Sequence, residues 1–360
     1  MIRILQSPRL GLIWLCLSLG GCANLGYYAQ AVDGHLDIHK RVRPIDEIIA
    51  DPASDPRLQR TLSLVVRLRE FAKQELKLPG NQSFTTYADL GRRYAVWNVS
   101  ATPELSIEPK KWCFVAAGCV SYRGFFSEAE ANHFADELKM KGYDTAVGGI
   151  RSYSTLGWFK DPILNTFLGY SDTELAQLMF HELAHQLVYV QDDSTFNESF
   201  ATAVELEGIA RWLKQYGEEG QRAVFDAEQE QKTESIALML EYRKRLETLY
   251  ASGQTETEKR TAKAAILAEL VQRMARHESG TQASDYEKWL ATHLNNAYLA
   301  SVSTYTQLVP EFHALLARQG GDIERFYDSV RELSRLPKAE RIALLRKADR
   351  RSFSASSTTP

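Results

Sequence analysis

At 360 residues the chain is long enough to bury a sizeable core, in one large domain or two modest ones. With 44% hydrophobic and 25% charged residues, its composition is that of a soluble globular protein and excludes a low-complexity or fibrous chain. A formal net charge of −3 and an isoelectric point near 6.3 give no electrostatic reason to expect nucleic acid as a partner.

The first residues read as a targeting signal rather than as part of the fold. Arg3 and Arg9 precede an apolar run ending at Gly21, shorter than the roughly 20 residues a membrane span needs. Its end, Leu19-Gly20-Gly21-Cys22, resembles the bacterial lipobox. That implies removal of residues 1–21, a lipid on Cys22, and a periplasm-facing protein anchored in a membrane. Ala23 resembles the sorting pattern for the outer membrane. An ordinary signal peptide with an incidental Cys22 is the alternative. Cys16 leaves with the signal, so Cys113 and Cys119 remain, flanking a predicted hairpin turn around Gly118. An oxidising compartment favours a disulfide between them. Two buried free thiols are the alternative.

Residues 23 to about 60 are mixed, with Pro52 and Pro56 marking a loop. The apolar spacing from Leu58 to Leu76 predicts an amphipathic helix, ended by Pro79-Gly80. Alternation from Arg92 to Phe114 predicts strands. Asn98-Val99-Ser100 is a glycosylation sequon by pattern, idle in a bacterial lipoprotein. Ser127 and Glu130 open a helix as a capping box, and Gly142 closes it. The stretches from Tyr143 to Gly149 and from Ser152 to Phe159 are predicted strands. Later, Phe225–Tyr250 and Glu256–His277 predict an antiparallel helical hairpin, with more helix through Trp289, Leu299 and Leu315. Strands early and helices late make the class α+β. A small, polar tail after residue 350 is expected to be disordered, leaving 22–350 as one domain.

The chemistry concentrates between Ser171 and Glu205. Ser171 and Glu174 form a capping box, and the helix they start is apolar around most of its circumference, so it lies inside the protein. His181 and His185 are one turn apart and about 40° around the axis, so both imidazoles can reach one ion. Glu182, about 100° from His181, is placed for a metal-bound water instead. This is the His-Glu-x-x-His pattern of zinc peptidases. Two ordinary core histidines are the alternative, which leaves Glu182 without a purpose.

A catalytic zinc needs a third protein ligand and an open position. Asn197-Glu198-Ser199-Phe200-Ala201 resembles the Asn-Glu-x-x-Ala signature that supplies this ligand in gluzincin peptidases, which implies Glu198. Ala201 lies on the face of Glu198 and is small enough to let two helices approach. Thr195-x-x-Glu198 also reads as a capping box, in which Glu198 would bond backbone. The span from His185 to Glu198 is shorter than in gluzincin aminopeptidases, so the connecting loop must turn tightly. Glu205, two turns after Glu198, is at the offset where those enzymes orient a ligand histidine; a solvated surface glutamate is the alternative. Asp192 and Asp193 are further candidates for that role, or simple loop residues.

Together with the lipobox, the stretches Ser152–Leu168 and Leu294–Pro310 make the mature chain resemble a bacterial family of predicted zinc aminopeptidases, often lipoproteins. The resemblance implies a zincin-like fold and one Zn2+ held by His181, His185 and Glu198, with Glu182 as general base. It also implies a substrate-pairing edge strand containing Tyr153, Gly157 and Trp158, and a transition-state hydroxyl, for which Tyr305 is the candidate. The partners so implied are a peptide substrate and a membrane lipid anchor, with no nucleic acid. The Gly-x-Met-Glu-Asn motif that binds the substrate ammonium in classical gluzincin aminopeptidases is absent. An endopeptidase acting on envelope proteins, and a non-catalytic lipoprotein stabilised by zinc, therefore stay open as alternatives.

Overall fold

The structure is a computed structural model that describes residues 26–114, 118–155, 159–277 and 283–356. Cys22 with its signal segment, and Gly157 and Trp158, lie outside the described residues. The class is α+β, with small sheets early and a helical second half.

The chain opens with α1 (residues 26–40), where the sequence gives no clear period. Strand β1 (Val42–Pro44) and α2 (Ile45–Ala50) lead to α3 (Pro56–Gln74). Asp55 caps α3 by accepting from the backbone of Arg57 and Leu58, and Pro56 starts it. Strand β2 (Thr86–Ala88) lies between β1 and β8 (Ile163–Leu164) in one small sheet.

A second sheet has the order β6 (Arg123–Phe125), β3 (Val96–Pro103), β7 (Tyr143–Ile150), all antiparallel. Its two faces differ because side chains alternate along each strand. Trp97, Val99 and Phe125 pack against Ala131, Ala135 and Leu138 of α4 (Glu128–Met140). Val96, Asn98 and Gly124 face the other way, into a cleft. Between β3 and β6, β4 (Trp112–Phe114) and β5 (Gly118–Val120) form the expected hairpin, joined by a Cys113–Cys119 disulfide.

Two helices carry the candidate ligands: α5 (Asp172–His185) and α6 (Ser194–Tyr216), packed along one another. Ser171 and Glu174 close a reciprocal capping box at the start of α5, as its sequence requires. Close approach is enforced at Gly208 of α6, where a Cβ would lie 2.6 Å from the Phe180 ring. Phe180, Phe196, Phe200 and Phe326 fill the core around these helices. Then α7 (Gln221–Ala251) and α8 (Glu256–His277) pair as the predicted hairpin, followed by α9 (Ala283–His293) and α10 (Asn296–Thr306). The chain continues through α11 (Val309–Arg318), α12 (Ile323–Ser334) and α13 (Lys338–Ser356).

Two expectations change. Residues 152–155 and 159 are not strand, because the buried Asp161 side chain takes over the local hydrogen bonding. It accepts from the Thr155 backbone at 3.0 Å and from the Thr155 hydroxyl at 2.6 Å. Helix α13 also runs to Ser356, into the segment read as a disordered tail.

Candidate metal centre

His181 and His185 project from consecutive turns of α5, and Glu198 comes from the second turn of α6. Their nearest donor atoms are close together. Nε2 of His181 lies 3.2 Å from Nε2 of His185 and 3.3 Å from Oε2 of Glu198, and the third side of the triangle is 3.4 Å. Four ligands around zinc at about 2.0–2.1 Å would stand about 3.3 Å apart, the edge of a tetrahedron of that size. The three atoms thus match three corners of a metal tetrahedron, and the residues fit a metal ion.

Electrostatics agree with that geometry. Burial works against the His181 imidazolium, but hydrogen bonds to Glu198 and Glu205 outweigh it and hold its pKa well above the ordinary value. Burial likewise opposes ionisation of Glu198, yet the neighbouring His185 and His181 hold its carboxyl at about 2. Positive charge is stabilised where the three donors meet.

Around this triangle the supporting groups are ordered. Glu205 Oε2 lies 2.9 Å from Nδ1 of His181, and its other oxygen accepts from Gln177 at 3.1 Å. Nδ1 of His185 is buried without a hydrogen-bond partner among the described residues. Glu182 is buried on the same helix and faces the same cleft.

The loop between the ligands turns tightly, as its length demands. Asn197 closes it by accepting from the Val190 backbone N–H and donating to the Val190 carbonyl, both at 2.8 Å. So the asparagine of the Asn-Glu-x-x-Ala pattern clasps the loop, while its glutamate faces the histidines. Thr195 is not the cap of α6. Asp193 is, accepting from Phe196, so Glu198 lies beyond the first turn and makes no capping box.

The two loop aspartates do not join the cluster of His181, His185 and Glu198 either. Asp193 is buried against Arg341 at 2.7 Å and Lys338 at 2.9 Å, both on α13. Asp192, at φ +66°, accepts from the Cys119 backbone at 2.6 Å and docks the disulfide hairpin on the loop.

A cleft of about 690 Å³ opens in front of the triangle, between α5 and α6 on one side and the β6–β3–β7 face on the other. Tyr305 of α10 lines it with its ring 6.5 Å from that of His181. The Glu198 charge, and then burial, push its hydroxyl well above the ordinary tyrosine range, so it stays a donor. Tyr153 lines the cleft too, 2.9 Å from Nδ1 of His35, but from a loop rather than a strand.

Sequence reasoning passed over Tyr122, Tyr189 and Gln177, which share the cleft. Burial and then Glu198 raise the pKa of Tyr122, so a second tyrosine hydroxyl stands near the carboxylates. Gln177 was findable, one turn before His181 on one helical face; no local pattern marks Tyr122.

The family described as "Putative aminopeptidase" matches residues 26–345, nearly the whole chain. The chain belongs to that family. No curated protein matches it, and no solved structure does. Membership of an aminopeptidase family gives the chain a peptidase function at the coarse level, and the cluster of His181, His185 and Glu198 could hold a metal ion.

Proposed function

We propose that this chain is a zinc-dependent peptidase of the aminopeptidase type, with a zincin-like fold. The observation that carries the reading is the triangle of His181, His185 and Glu198 donors beside a buried Glu182, in a member of an aminopeptidase family. Zn2+ is the natural occupant of a two-imidazole, one-carboxylate set with one position left open. Zinc, when bound there, acidifies the attacking water and polarises the scissile carbonyl.

The chain's own residues do the rest. Glu182 takes the proton of the attacking water and delivers it to the leaving nitrogen. Glu205 accepts from Nδ1–H of His181, which leaves Nε2 free to donate its lone pair to a metal. Tyr305, protonated and facing the cleft, donates to the developing oxyanion. Residues 1–21 direct export, and Cys22 carries a lipid that holds the enzyme on the periplasmic side of a membrane, the outer one. Among the described residues no helix is long and apolar enough to cross a membrane.

Hydrolysis of leucyl-anilide and of an internally quenched peptide by the zinc-loaded protein tests the reading. Release of the anilide fits an aminopeptidase. Cleavage of the quenched peptide alone would make the enzyme an endopeptidase, and cleavage of neither would leave a zinc-stabilised binding protein.

A further inference from the structure

The β6–β3–β7 sheet turns toward the cleft a face that is nearly bare around one polar side chain. Asn98, in the middle of β3, pairs with Gly124 of β6 on one side and Gly148 of β7 on the other. A Cβ on Gly148 would meet nothing within 4 Å, and one on Gly124 would touch only Oδ1 of Asn98, at 3.3 Å. Neither glycine has a positive φ, so the backbone does not require glycine at either position. What the two glycines do is leave a strip of open surface beside the carboxamide.

On the Gly124 side the sheet's own backbone is closed to a ligand. Strand β3 is paired on both sides. The outer edge of β6 is capped by Gln30 of α1, which donates to the Gly124 carbonyl at 3.5 Å and accepts from Phe126 N–H at 3.1 Å. The Asn98 carboxamide, by contrast, is half-buried in the cleft wall and has no hydrogen-bond partner among the described residues. It shares that cleft with His181, Glu182 and Glu198.

We propose that Asn98 anchors a substrate subsite. Its carboxamide hydrogen-bonds the main chain of a peptide lying across the sheet face, in the strip kept open by Gly124 and Gly148. A carboxamide presents a donor and an acceptor together, which is what a peptide group requires of a partner. Val96, Ile150 and Phe126 also line the cleft around the strip, so the ligand it takes is a peptide with apolar side chains. The subsite rests on the peptidase reading, and the sequon at Asn98 is thereby a cleft-facing strand position rather than a surface loop.

The test is calorimetric titration of Leu-Leu-Leu into the zinc-loaded Glu182→Gln variant, so that binding is read without turnover. Adding Asn98→Ala weakens Kd about five- to tenfold, the loss of one or two neutral hydrogen bonds, with zinc content unchanged. Gly124→Val, which places a side chain on the strip, weakens it at least as much. An unchanged Kd in the Asn98→Ala and Gly124→Val forms overturns the subsite. No binding of the peptide by the Glu182→Gln parent counts against the peptidase reading itself, and the subsite falls with it.

Discussion

Glu182 and Glu198 are buried carboxylates of one cleft, and their placement separates their tasks. Glu198 closes the donor triangle; Glu182 sits outside it. Glu182→Gln is therefore expected to keep metal and fold while kcat falls about 10²- to 10⁴-fold, read by metal analysis and steady-state kinetics. Comparable turnover in that variant removes Glu182 as the base. Glu198→Gln replaces a charged donor by a weak amide one, and metal affinity should drop by orders of magnitude in a chelator competition. The neighbouring cap is a separate matter. Thr195→Ala should leave stability within about 0.5 kcal/mol, since Thr195 caps nothing. Asp193→Ala removes the true cap and strands the buried Arg341, and chemical denaturation should register a loss of about 3 kcal/mol or more. His181, Glu182 and His185 were legible because a helix fixes side chains four apart without help from the rest of the chain. Asp193 was not, because its partner Arg341 lies 148 positions away and no local pattern points to it.

Elements with a long period were the readable ones. The α7–α8 hairpin and α3 follow from apolar spacing sustained over several turns. Short strands were less secure: Ser152 to Phe159 was expected as a strand, but the Thr155 backbone N–H is taken by the Asp161 side chain instead of a partner strand. Helix α1 was missed for the opposite reason, since its polar and apolar residues show no clean period. The hairpin β4–β5 is held by the Cys113–Cys119 bridge and docked through Asp192 on the loop that joins the two ligand helices. With a sequence separation of only 6, the bridge closes a short loop. Chain entropy assigns such a loop about 2 kcal/mol. A Cys113→Ser, Cys119→Ser form should lose about that much in urea unfolding. A loss near zero would mean that the hairpin's docking, not the bridge, fixes its place.

For the whole molecule, the sequence placed strands before helices and the ligands on two adjacent helices, but not the cleft between them and the sheet face. That cleft joins α1, β3, β6, α5, α6 and α10, elements far apart in sequence, so only the folded chain assembles it. The same holds for the pairing of Asn98 with glycines on two strands. Export is a claim about the intact chain: Cys22→Ser should abolish lipid labelling and move the protein out of the membrane fraction, and unchanged membrane association would require another anchor. The account's central claim is a zinc ion held by His181, His185 and Glu198, and elemental analysis of the purified mature protein tests it most directly. Wild type is expected to carry about one zinc per chain, while His181→Ala and His185→Ala fall to background. Stoichiometric zinc in both variants, or none in the wild type after loading, would contradict it.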